Sequence, residues 1–311
     1  MRAPDPSSVR IDGPWTHRDV SANGIRLHVA ESGSGPMILM LHGFGEFWWT
    51  WNAQLPALAE AGYRVVAADL RGYGDSDKPP RGYDAWTLAG DVVGMIRALG
   101  ERRAHLVGHA WGGMTAWTAA ALHPRVVRSV SVLGAAHPLA LRSATAHTPF
   151  RRKQENQARA IGHLFRFQVP KSPERWLVRD DAAAVEGMLR AWSGPRWNGS
   201  ADFAGVAARL REAMLVPGVA HSALEYYRWA FRAQFRGEGR RFTDAVRDRV
   251  SMPVLQLHGE LDPCVLPETA RASAAWLGPR SRFETLDGVG HFPHLESPER
   301  TTKAILDFLP S

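Results

Sequence analysis

One cysteine, Cys264, in 311 residues excludes an internal disulfide and fits a reducing compartment. No stretch approaches the ~18 uninterrupted apolar residues of a membrane span. Residues 1–14 are polar, carry Pro4 and Pro6, and lack the apolar centre of a signal peptide. These absences predict a soluble, cytoplasmic protein with no membrane span. The chain also lacks a zinc finger, a nucleic-acid motif, an internal repeat and a low-complexity segment. Its formal charge of +7 and pI near 10 come from basic residues that are nearly all Arg and widely scattered, Arg151-Arg152-Lys153 being the only tight run. Such scatter reads as solvated surface, and no nucleic-acid partner is expected.

What is present is a chain with 45% hydrophobic content, enough for one α/β domain with an insertion. Its twelve Trp and twelve Phe suit aromatic-lined space as well as core packing. Residues 15–20 and 25–31 flank Asn23-Gly24, a hairpin signal, and predict two antiparallel edge strands. The continuously apolar run 37–41 predicts a strand covered on both faces. Strands at 64–68, 104–107 and 126–133 then alternate with helices at 51–61, 87–99 and 114–122. That alternation predicts a mostly parallel, doubly wound sheet with helices on both faces. In the loop that follows residue 68, Asp69 and Arg71 are expected to brace the turn as a structural ion pair.

From His137 the alternation stops. Residues 137–249 are Arg-, Ala- and Trp-rich with helical periodicity, and predict a helical lid between sheet strands. The sheet resumes at 253–259, adds a last strand at 282–286 and closes with a helix at 298–309. The expected division is 1–136 for the first part of the core, 137–249 for the lid, and 250–311 for the second part.

Between strand 104–107 and its helix lies Gly108-His109-Ala110-Trp111-Gly112-Gly113. Gly-x-x-x-Gly at a strand-to-helix turn is the spacing of a nucleophile elbow, in which glycines permit a strained central residue and a closely packed helix. The central residue should be Ser, Cys or Asp. Here it is Ala110, whose methyl cannot attack.

This elbow, together with His42-Gly43-Phe44-Gly45-Glu46-Phe47-Trp48-Trp49 and Asp69-Leu70-Arg71-Gly72-Tyr73-Gly74-Asp75-Ser76-Asp77-Lys78-Pro79, resembles the epoxide-hydrolase branch of the α/β-hydrolases. The resemblance runs from about residue 15 to the C-terminus and weakens between roughly 140 and 220, where lids vary. It implies an α/β-hydrolase fold with a helical lid, a small hydrophobic substrate, water as co-substrate and no metal or organic cofactor. It assigns the amides of Phe44 and Trp111 to an oxyanion hole. The family usually has Pro where Gly45 stands, and Asp where Ala110 stands.

Two further signals fall in the chain order of this fold. Asp262 in Gly259-Glu260-Leu261-Asp262-Pro263 follows one strand, and His291 in Gly288-Val289-Gly290-His291-Phe292-Pro293 follows the last. Asp262 would orient His291, whose other nitrogen would take a proton from water. His294 competes for the base role, although Gly-His order favours His291, and His109 beside the elbow has a structural role at most. In the lid, Leu224-Glu225-Tyr226-Tyr227-Arg228 resembles the helix from which the family supplies a tyrosine to the epoxide oxygen. Tyr227 matches by position, with Tyr226 as the alternative and packing as the bland reading of both. The region of the family's second tyrosine, 164–170, holds none, and Arg166 stands nearest its place.

Three readings of Ala110 remain open at this level. It is an engineered knockout, a natural variant in which His291 and Asp262 activate water directly, or part of a non-catalytic protein that binds a small apolar molecule. An esterase or dehalogenase with a replaced nucleophile is a further option on this fold, and association as a homodimer is also left open.

Overall fold

A computed structural model of the chain describes residues 4–147 and 156–309; the run Arg151-Arg152-Lys153 lies outside them. Eight strands form one sheet: β1 (Thr16–Ala22), β2 (Ile25–Ser32), β3 (Met37–Leu41), β4 (Arg64–Ala68), β5 (Ala104–His109), β6 (Val127–Leu133), β7 (Val254–Gly259) and β8 (Arg282–Leu286). Their spatial order is β1-β2-β4-β3-β5-β6-β7-β8. β2 runs antiparallel to both neighbours, and every other pairing is parallel. The β1–β2 hairpin turns on Asn23 and Gly24, at φ 48° and 79°, as the Asn-Gly pair favours. All five β3 residues are buried, as an apolar strand covered on both faces must be.

Helices α1 (Gln54–Glu60), α2 (Ala85–Ala98) and α3 (Trp111–Leu122) connect β3 to β4, β4 to β5 and β5 to β6. α2 starts where the Asp84 side chain accepts the Thr87 N–H, a capping bond that fixes its first turn. Between β6 and β7 every described element is helical: α4 (Pro138–His147), α5 (Gln157–Ala160), α6 (His163–Phe167), α7 (Ser172–Trp192), α8 (Pro195–Asn198), α9 (Ala201–Met214), α10 (Val219–Ala233) and α11 (Gly237–Ala245). α12 (Pro267–Arg271), α13 (Pro293–Glu296) and α14 (Pro298–Phe308) complete the chain. No described helix is long and apolar enough to cross a membrane.

One expectation is corrected. Asp69 and Arg71 do not pair with each other, because the turn after β4 sends their side chains to different partners. Asp69 faces His28 Nδ1 at 2.7 Å and accepts the Trp48 and Asp75 N–H groups. Arg71 makes a two-point contact with Asp91 on α2, at 2.6 and 2.7 Å, with both residues buried. Asn23 also donates to Asp91, so this carboxylate ties the hairpin, the loop and α2 together. Removing the cation alone strands a buried charge. Arg71→Ala is therefore expected to destabilise the fold by about 3 kcal/mol, read from urea unfolding.

Candidate active site

The elbow forms because α3 starts almost against the sheet. A methyl on Gly112 would come within 2.0 Å of the Leu41 carbonyl oxygen, and one on Gly108 within 2.4 Å of the Gly112 oxygen. Only glycine permits that approach. Ala110 sits at the crest with φ 46° and ψ −110°, a conformation costly for any residue with a Cβ. Its methyl faces the loop after β3, where a Cβ on Gly43 would meet it at 3.0 Å. Among the described residues neither the Phe44 nor the Trp111 N–H has a hydrogen-bond acceptor. Trp111 opens α3, so its amide also carries the positive end of the helix dipole.

His291 and Asp262 come from the loops after β8 and β7. His291 Nδ1 lies 2.8 Å from Asp262 Oδ2, with both side chains buried. The other oxygen, Oδ1, accepts the N–H groups of Cys264 and Val265 at 2.8 and 2.9 Å, which fixes the carboxylate plane. Burial opposes the Asp262 charge, but His291, His258 and the amide donors outweigh it and hold the carboxyl below its ordinary range. Burial likewise disfavours the charged form of His291. The attraction and hydrogen bond of Asp262 overcome that and leave the imidazole above its ordinary value. With Nδ1 engaged, Nε2 is the nitrogen free to exchange a proton.

Behind these loops lies a polar knot that the sequence did not announce. Glu46, fully buried, accepts the Gly43 N–H and faces His109 Nδ1 at 2.9 Å and His294 Nε2 at 3.2 Å. His109 Nε2 in turn reaches the His291 carbonyl at 2.9 Å. One carboxylate thus couples the loop after β3, the elbow and the histidine loop. Burial raises the Glu46 carboxyl, but the two histidines bring it well below the ordinary range. Burial drives His294 down to about 4, and its Nε2 also contacts the Thr50 hydroxyl at 2.9 Å, so it serves the knot. Glu46, His109 and His294 are the described residues whose ligand atoms cluster closely enough for a metal, within 4.8 Å of one another. Their atoms are already turned on each other and on Gly43. The clue in the sequence was Glu46, an acid inside an otherwise apolar run.

A cavity of about 660 Å³ opens in front of the pair, lined by Ala110, Trp111, His163, Trp192, Tyr227 and His291 among others. That is room for a small molecule, and its wall is mainly apolar. The Tyr227 ring packs edge-on against Phe44 and Trp111, with centroids 5.1 Å apart in each case. Burial raises the Tyr227 phenol well above its ordinary value, although the Trp111 indole N–H pulls the other way. Tyr226 faces elsewhere and donates its hydroxyl to the Arg71 carbonyl at 2.8 Å. Arg166 is exposed, with its guanidinium over the Trp176 ring at 4.0 Å, and does not line the cavity. His163, three residues earlier, does. Its ring lies 5.7 Å from that of Tyr227, and burial lowers it to about 4, so it is neutral near pH 7. One of its nitrogens bonds the Ala160 backbone, which leaves the other as an acceptor.

The chain belongs to the α/β hydrolase fold family, which matches residues 36–298. Within that family it falls in the epoxide hydrolase-like branch. It is 33% identical to epoxide hydrolase A of Mycobacterium tuberculosis over 96% of this chain and 98% of that one. It is 31% identical to the AB hydrolase superfamily protein YfhM of Bacillus subtilis, over 93% and 96% of the two chains. An epoxide hydrolase from an endophytic Streptomyces superposes with a TM-score of 0.79 at 27% identity, covering 96% of each chain.

Two measurements probe the geometry without substrate. Asp262→Asn should lower the His291 titration midpoint observed by NMR, because the carboxylate is what raises it. Ala110→Gly should raise stability to urea by about 1 kcal/mol, as relief of backbone strain exceeds the added chain entropy.

Proposed function

We propose that this protein adds water to a small hydrophobic epoxide without a covalent intermediate. The observation that carries the reading is the 2.8 Å contact of Asp262 with His291, which lines a cavity together with Ala110 and Tyr227. The helices between β6 and β7 act as the lid, roughly residues 137–249. The methyl of Ala110 leaves space where a longer nucleophile would reach, and a water occupies it. His291 Nε2 removes a proton from that water as its oxygen attacks an epoxide carbon and the carbon–oxygen bond opens. Asp262 stabilises the imidazolium. Tyr227 donates a hydrogen bond to the departing oxygen and then its proton, and the imidazolium restores that proton, giving a diol. A phenol held this far above its ordinary value gives up its proton only once alkoxide character develops. The amides of Phe44 and Trp111, beside Ala110, donate to the oxygen of the attacking water and hold it in place. His163 offers an acceptor to the water or to a product hydroxyl, so Tyr227 is the single phenol donor. No metal or organic cofactor is required by these steps.

The missing nucleophile favours a second reading, a non-catalytic protein that binds a small apolar molecule in the same cavity. Assays of styrene-oxide-type epoxides and p-nitrophenyl esters separate the two. Slow epoxide turnover by the unaltered chain should fall at least ~100-fold in His291→Gln and ~10-fold or more in Tyr227→Phe. Ala110→Asp should raise it by opening a covalent route. The rate should climb with pH through a midpoint above the ordinary histidine value of 6.5, since only neutral His291 accepts a proton. Equal ligand affinity in the unaltered chain and in His291→Gln, with no turnover in either, would establish binding instead. Ester hydrolysis gained by Ala110→Ser alone would move the substrate class to esters.

A further inference from the structure

The helices over the cavity carry an exposed aromatic patch. Phe165 is 65% exposed and Phe235 is 76% exposed. Phe231 joins them, its ring 5.7 Å from that of Phe165 and 5.3 Å from that of Phe235. Single exposed apolar residues are ordinary, but contiguous rings facing water are not. Phe235 also lines the outer part of the large cavity, so the patch borders its mouth.

Basic residues neighbour these rings along the chain. Residues 231–241 hold Arg232, Arg236, Arg240 and Arg241 against one acid, Glu238. All four arginines are exposed, as is Arg166 beside Phe165. Arg232 has its carboxylate partner only at 3.9 Å, on Glu225, and Arg236 and Arg240 have no ion pair among the described residues. No residue of α11 is buried, although the helix carries Phe242 on the cavity side. Arg232 and Arg236 flank Phe235 in the chain, while Arg241 turns to the Trp86 ring at 5.5 Å and Arg166 to that of Trp176.

We propose that this face docks on an anionic lipid surface, with Phe165 and Phe235 entering the headgroup layer and the arginines meeting lipid charges. Phenyl rings flanked by arginines are what such an interface selects. A second copy related by a twofold axis would bring each chain's arginines against the other's, which like charges oppose. An anionic bilayer satisfies rings and cations together. Docked in this way, the cavity mouth opens onto the layer in which apolar molecules concentrate. Only that delivery of substrate depends on the hydrolytic reading; the docking does not.

Sedimentation of the purified protein with phosphatidylcholine vesicles, with and without phosphatidylglycerol, tests the idea. Binding is expected only to the anionic vesicles. Phe165→Ser with Phe235→Ser should weaken it about tenfold or more. Arg232→Gln with Arg236→Gln should weaken it roughly 25-fold, at about fivefold per arginine. Arg102→Gln with Arg128→Gln, exposed near the starts of β5 and β6 at the opposite end of the parallel strands, removes the same charge and should change little. Unchanged unfolding curves show that each variant is folded. Absence of binding, equal loss from both arginine pairs, or full binding by the Phe variant would each overturn the proposal. So would a dimer in light scattering that Phe235→Ser dissolves while vesicles are ignored.

Discussion

The contact between Gly112 and the Leu41 carbonyl governs the geometry of the site. With no side chain in the way, the start of α3 lies directly on the end of β3. The crest of the elbow, the loop after β3 and the first amides of α3 are thereby brought to one place. A single added methyl would force the helix off the sheet and separate Ala110 from the Phe44 amide. The strained backbone of Ala110 follows from the same contact, because the chain must reverse in one residue between a buried strand and a helix that cannot back away.

Much of this was legible in the order of residues. Apolar runs at β3, β4 and β5, each followed by a helical stretch, defined a parallel sheet before any contact was known. Asn23-Gly24 marked the hairpin because few other pairs accept two successive positive φ values. His291 and Asp262 could be singled out because each follows a strand, and in such sheets strand ends converge. The structure sets their side chains 2.8 Å apart.

Contacts between loops distant in sequence were not legible. Asp69 and Arg71 stand two apart and carry opposite charges, yet their partners, His28 and Asp91, lie in β2 and α2. Nothing in periodicity reports a pairing across strands. The union of Glu46 with His109 and His294 is hidden for the same reason, since three separate turns contribute to it. On the helices over the cavity, a pattern of 3.6 residues indicates that one side is apolar but not what covers it. Arg166 stands nearest the second tyrosine's place in sequence yet lies against Trp176, while His163, which no motif marks, is on the cavity wall.

The Glu46 knot has a mechanical consequence. Because one carboxylate grips three loops at once, the lower half of the chamber shifts as a block or not at all, and loosening any loop would unpair a buried charge. Above the cavity a buried Arg228 plays the same part, donating to the Phe167 and Val169 carbonyls and pairing with Glu174 and Glu225. Floor and ceiling are thus each pinned by one buried charge, which leaves the apolar side chains between them as the part of the chamber free to vary.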